Sequence, residues 1–143
     1  MTDRTNVARV FALLLGLGYV LAGVAGFVVT GFTGFVEDTG ETLIGFDVNI
    51  FHNIVHIAIG GGLVLASRLH DVTVTQGILI GVGLFYVVGA LLGFLNYLPI
   101  LSISENLAPD NFLHTVSGLT AVIFGLIGVY QQDDSARGAA AYS

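Results

Sequence analysis

The sequence predicts an all-α membrane protein in which four transmembrane helices form two parallel-repeat helical hairpins, helices one and two and then three and four, with both termini cytoplasmic. Three observations predict it: an apolar composition, a one-sided distribution of arginines and an internal repeat. The chain has 143 residues, 55% of them hydrophobic and only 10% charged, where a soluble domain carries about a quarter charged residues. Stretches free of Asp, Glu, Lys and Arg cover 10–36, 48–67, 72–104 and 111–132. Each contains the roughly 20 mostly apolar residues that cross a bilayer as a helix. The expected spans are therefore about 8–30, 50–68, 73–96 and 110–131, within a single transmembrane domain over 1–131.

Helix one follows MTDRTNVAR. Its apolar stretch is too long for a signal-peptide core and lacks a small-residue cleavage site, so it reads as a retained span. Arg4, Arg9, Arg68 and Arg137 are the only Lys or Arg residues, and a four-span topology puts all of them on one side. By the positive-inside rule that side is the cytoplasm, and the membrane is the plasma membrane. The opposite loops, around 31–49 and 97–110, carry Glu37, Asp38, Glu41, Asp47, Glu105 and Asp110 without a cation. Such an acidic, lysine-free surface suggests a high-salt organism and offers nothing to nucleic acid, which needs clustered positive charge. The absence of cysteine rules out disulfides and thiolate metal sites. The last segment, QQDDSARGAAAYS over 131–143, reads as an acidic, alanine-rich tail that is disordered from 132.

The repeat pairs helix one with helix three. GLGYVLAGVAGF (16–27) aligns with GLFYVVGALLGF (83–94), so that Gly16, Tyr19 and Gly26 fall on Gly83, Tyr86 and Gly93. In the same way Asn53, His56 and Gly60 of helix two fall on Asn111, His114 and Gly118 of helix four. Helices one and three run in one direction and two and four in the other, which makes these parallel repeats about an axis along the membrane normal. Small residues four apart, Ala22/Gly26, Gly62/Ala66, Gly89/Gly93 and Ala121/Gly125, predict close helix crossings in lipid. Tyr19 and Tyr86 are expected to hydrogen-bond neighbouring helices, because a buried hydroxyl needs a partner. Phe32, Phe35, Phe46, Phe51 and Tyr97 read as interfacial anchors.

The polar residues of the spans concentrate in two motifs, HNIVH (52–56) and DNFLH (110–114), which the repeat superposes. Residues four apart share a helix face, so helix two offers His52 and His56 and helix four offers Asp110 and His114. If the two helices face each other, three imidazoles and a carboxylate converge one turn inside the outer boundary. That donor set suits a divalent transition metal such as zinc, ferrous iron, manganese or copper. Asn53, Asn111, Asp47 and Glu105 are the expected outer groups orienting the ligands. A second reading is structural: Asp110 and either Asp47 or Asn49 act as helix N-caps, and the Asn and His side chains only lock helix packing, as in an accessory subunit of a larger membrane complex or a homo-oligomer. A third has His56 and His114 holding a b-type haem. No nucleophile with an adjacent base and no mid-membrane carboxylate relay is visible, so enzymatic or ion-coupled transport activity is not expected.

Taken together, GLGYVLAGVAGF, DVNIFHNIVHIAIGG and DNFLHTVSG resemble the prokaryotic four-helix membrane proteins grouped as domain of unknown function 4383. The resemblance covers about residues 8–130. It implies a small polytopic membrane protein and no particular chemistry.

Overall fold

The computed structural model describes residues 5–140, so Arg4 of the sequence argument lies outside the described residues. Four helices dominate: α1 (Val7–Thr30), α2 (Ile50–Ala66), α3 (Val72–Phe94) and α4 (Pro109–Ala140). Three helix starts have a side-chain cap that satisfies an otherwise free backbone N–H. Asn6 accepts from Ala8 N at 3.0 Å, Asn49 from His52 N at 2.8 Å and Asp71 from Thr73 N at 2.8 Å. α4 instead opens on Pro109, whose missing N–H costs nothing at a first helical position. Asp110 thus lies inside the first turn rather than capping it from outside, and its carboxylate is free to face the bundle.

α1, α3 and α4 are long and apolar enough to cross a membrane. Their outer faces carry a continuous apolar surface, with Leu14, Leu21 and Val28 on α1 and Phe85, Val88 and Leu91 on α3 all exposed. α2 has 17 residues, about 26 Å at 1.5 Å per residue, and is shorter than the expected 50–68. Just past its end, Arg9 of α1, only 8% exposed, turns its guanidinium onto the carbonyls of the following turn. Arg9 donates to the Ser67 carbonyl at 3.2 Å, the His70 carbonyl at 2.8 Å and the Leu69 carbonyl. A cation near the negative end of a helix dipole is stabilising. At the other extreme, α4 runs on to Ala140, so residues 132–140 are helical rather than disordered. Gln, Ala and Arg are good helix formers, and Ser135 folds its hydroxyl back onto the Gln131 carbonyl at 2.8 Å.

The first loop also holds a small feature that helical periodicity does not announce. β1 (Thr42–Leu43) and β2 (Phe46–Asp47) pair antiparallel, Thr42 opposite Asp47 and Leu43 opposite Phe46. Ile44 and Gly45 make the two-residue turn, with φ of 55° and 87°. Positive φ at both turn positions is the primed geometry that matches strand twist.

α1 packs chiefly on α2 and α3 chiefly on α4. Glycine sets both contacts. A Cβ on Gly16 would stand 2.7 Å from the Gly60 carbonyl oxygen and one on Gly60 2.6 Å from that of Gly16; Gly83 and Gly118 meet in the same way at 2.7 and 2.8 Å. Backbone thus touches backbone, the close approach that drives helix association in lipid. Of the small residues picked out by spacing, Gly26, Gly93 and Gly125 are tightly covered, while Gly62 and Gly89 face open space. Between the pairs lies a core of Ala8, Ala12, Tyr19, Leu63, Leu79, Tyr86 and Ala121, flanked by the Phe11 and Phe124 rings stacked 4.4 Å apart. Asn6 ties α1 to the Gly128 carbonyl of α4 at 2.8 Å.

Candidate metal centre

Asn49 fixes the first turn of α2 and so aims His52 inward, with His56 one turn further on. Asp110 and His114 occupy the corresponding turns of α4. The three imidazoles converge: His52, His56 and His114 each offer a ring nitrogen, and the three nitrogens lie within 4.8 Å of one another. His52 Nε2 is 3.1 Å from His56 Nε2, the two rings perpendicular at 87°. Asp110 Oδ1 stands 3.9 Å from His52 Nε2. Ligands around a tetrahedral ion with bonds near 2.0–2.1 Å are separated by about 3.3 Å, so small ring rotations bring this group to metal-binding spacing. All four residues singled out from the sequence are therefore neighbours, and the three histidines form a group that can hold a metal ion.

Burial adds a chemical argument. His52 and His114 are 2% and 5% exposed, and His52 Nδ1 and His114 Nε2 make no complete hydrogen bond. An uncompensated buried nitrogen costs about 1–3 kcal/mol, a cost that a bound ion or ligand removes.

The expected outer groups divide. Asn53 packs its amide against Gly26 and lies 3.5 Å from Thr30 Oγ1. Asn111 packs against Gly93 and donates to the Glu105 and Asn106 carbonyls, both at 3.2 Å. These bonds serve helix packing and loop closure, not the imidazoles. Glu105 is exposed and contributes its backbone carbonyl. Asp47 is only partly covered, and its burial, with Asp38 and then Glu105 nearby, holds its carboxyl above the usual carboxylate range.

Two residues of the site escaped the sequence argument. Tyr19 and Tyr86 stack on each other at 4.8 Å; Tyr86 meets His114 edge-on at 4.9 Å and Tyr19 meets His56 at 5.3 Å. Tyr19 donates to Ser117 Oγ of α4 at 2.8 Å as expected, and the Tyr86 hydroxyl, also buried, interacts with that of Tyr19. Their equivalence in the repeat was the available signal, since it fixes them at one depth facing the same neighbours. A cleft of about 300 Å³ runs between α2 and α3 to this floor of rings.

The chain finds no match among curated proteins and none among solved structures. A family model matches residues 9–127, spanning α1 to the body of α4 and including every residue of the histidine cluster, and the chain accordingly belongs to the family described as domain of unknown function DUF4383.

Proposed function

We propose that this protein is a four-span metal-binding protein of the plasma membrane, holding one divalent transition ion through His52, His56 and His114 with Asp110 as the fourth ligand. The observation that carries the reading is the convergence of three ring nitrogens within 4.8 Å inside an otherwise apolar bundle, because ionisable residues at membrane depth are costly and mark function by default. Neutral imidazole and carboxylate favour zinc or ferrous iron. In this reading the chain is two parallel hairpins, supported by the matching contacts of Gly16 with Gly60 and Gly83 with Gly118. Arg9, Arg68 and Arg137 define the cytoplasmic side, so the histidines approach the outer face.

Elemental analysis of protein purified in detergent tests this directly. One ion per chain is expected, lost in His56→Ala and His114→Ala and weakened in His52→Ala and Asp110→Ala. A wild-type protein without stoichiometric metal after zinc or iron supplementation overturns it.

The packing reading has one observation in its favour, the 3.1 Å His52–His56 contact, which joins two imidazoles without an ion. It makes the protein an accessory subunit, alone or as a homo-oligomer, and the same substitutions then alter only stability. The haem reading, with His56 and His114 as axial ligands and His52 beside both, its ring 4.6 and 6.0 Å from theirs, would show as a Soret band lost on replacing either axial histidine.

A further inference from the structure

The cleft between α2 and α3 differs from the other helix contacts in leading somewhere. Its walls are apolar, formed by Phe51 and Val55 of α2 and by Phe85, Val88 and Leu92 of α3. Its floor is His52, His56, His114 and Tyr86. Phe85 and Val88 are 61% and 54% exposed on a helix apolar enough to span the membrane, and Leu98, Ile100 and Leu101 line the loop end of the cleft, so in the four-span reading the mouth beside Phe85 and Val88 opens sideways into hydrocarbon. Gly89 lines the same wall with open space in front of it. At the bottom stand His114 Nε2, buried without a hydrogen-bond partner, and the Tyr86 hydroxyl, which interacts with that of Tyr19. A phenol O–H donates, and a neutral imidazole nitrogen donates or ligates according to tautomer. The complement to an apolar shaft ending in such groups is a molecule with an apolar body and one oxygen acceptor at its tip, and about 300 Å³ lies at the small end of ligand pockets.

We infer that the cleft is a lateral entrance from the bilayer through which a membrane-dissolved carbonyl compound reaches the histidine cluster, its apolar body between Phe51 and Phe85 and its carbonyl oxygen at His114 and Tyr86. The inference deepens the metal reading and rests on it for the role of the polar floor: with an ion on the three histidines, the carbonyl oxygen would take the place of Asp110, whose carboxylate stands 3.9 Å from His52 Nε2, and that exchange would provide the open coordination position. Access from lipid explains why the wall facing the membrane has a glycine where a larger residue would fit.

Benzophenone serves as the probe, since it has the required shape and labels adjacent C–H bonds on irradiation. The protein in lipid nanodiscs is irradiated with it, both zinc-loaded and chelator-treated, and adducts are mapped by peptide mass spectrometry. Labelling should concentrate on the cleft face of α3 around Phe85 to Leu92. Dicyclohexyl ketone should compete at least tenfold better than dicyclohexylmethane, which lacks the oxygen. Gly89→Leu, whose Cβ meets nothing within 4 Å, should cut labelling about tenfold, while Gly81→Leu, on an exposed face of the same helix, should leave it unchanged. Uniform labelling of all lipid-facing helices, equal competition by the two competitors, or indifference to Gly89→Leu overturns the inference. Metal binding is read on the same samples by elemental analysis. A bound ion without focused labelling defeats the entrance alone; focused labelling without an ion defeats the metal reading and leaves a carbonyl site.

Discussion

At the scale of single residues, each hydroxyl and carboxylate around the site has a separable consequence. Tyr19→Phe removes the 2.8 Å bond to Ser117 and keeps the stack on Tyr86. The expected loss is about 0.6 kcal/mol and at most about 1.7, the range for interhelical hydrogen bonds in membrane proteins, measurable by reversible unfolding in mixed micelles. Asp47 behaves differently, because burial and its acidic neighbours favour its protonated form in the folded state. A carboxyl whose folded pKa is raised costs stability once ionised, and that cost disappears as pH falls below its titration range. Asp47→Asn should therefore raise the unfolding midpoint at neutral pH, with the difference from wild type vanishing in acid. The four central candidates, His52, His56, Asp110 and His114, were legible in the sequence because the repeat aligned two polar motifs at helical spacing. Asn53 and Asn111 show the limit of the same logic: spacing places a residue on a face, but what it touches depends on the neighbour, here Gly26 and Gly93.

At the scale of elements, glycines that look alike in sequence divide into two classes. Gly16→Ala and Gly60→Ala push a methyl into the opposing backbone, at 2.7 and 2.6 Å, and no side chain can move aside. Overpacking of this kind costs about 1–3 kcal/mol. Gly62→Ala, with open space around it, should be neutral or stabilise by up to about 1 kcal/mol, since alanine is the better helix former. A parallel unfolding series decides, and equal effects at the two kinds of site would refute the backbone contact. The loop offers a further case: Ile44 holds φ of 55°, a region where a β-branched residue is strained. Ile44→Asn puts the preferred residue before Gly45 and should stabilise the hairpin, seen as slower proteolysis of the 31–49 loop. Helix positions followed from runs of apolar residues, but helix ends did not. Arg9 reaches from α1 to the carbonyls just past Ala66, where α2 ends, and nothing local to 66–70 signals a partner so distant in sequence. The α4 extension was hidden for the opposite reason, its acidic composition masking adequate helix propensity.

At the scale of the whole molecule, the proposed topology predicts that tags at both termini are protected from external reagents while a cysteine placed at Asp38 is labelled from outside. Opposite locations for the two termini would require an odd number of spans. The pairing of α1 with α2 and of α3 with α4 through their glycine crossings also divides the cluster: His52 and His56 belong to one pair, Asp110 and His114 to the other. The centre is therefore a seam. Expressed as two fragments divided at the turn after Leu69, each half would keep its own internal crossing but only half of the ligands. An ion at the seam would then act as a clasp, and reassembly of the fragments would depend on added zinc and reverse on chelation.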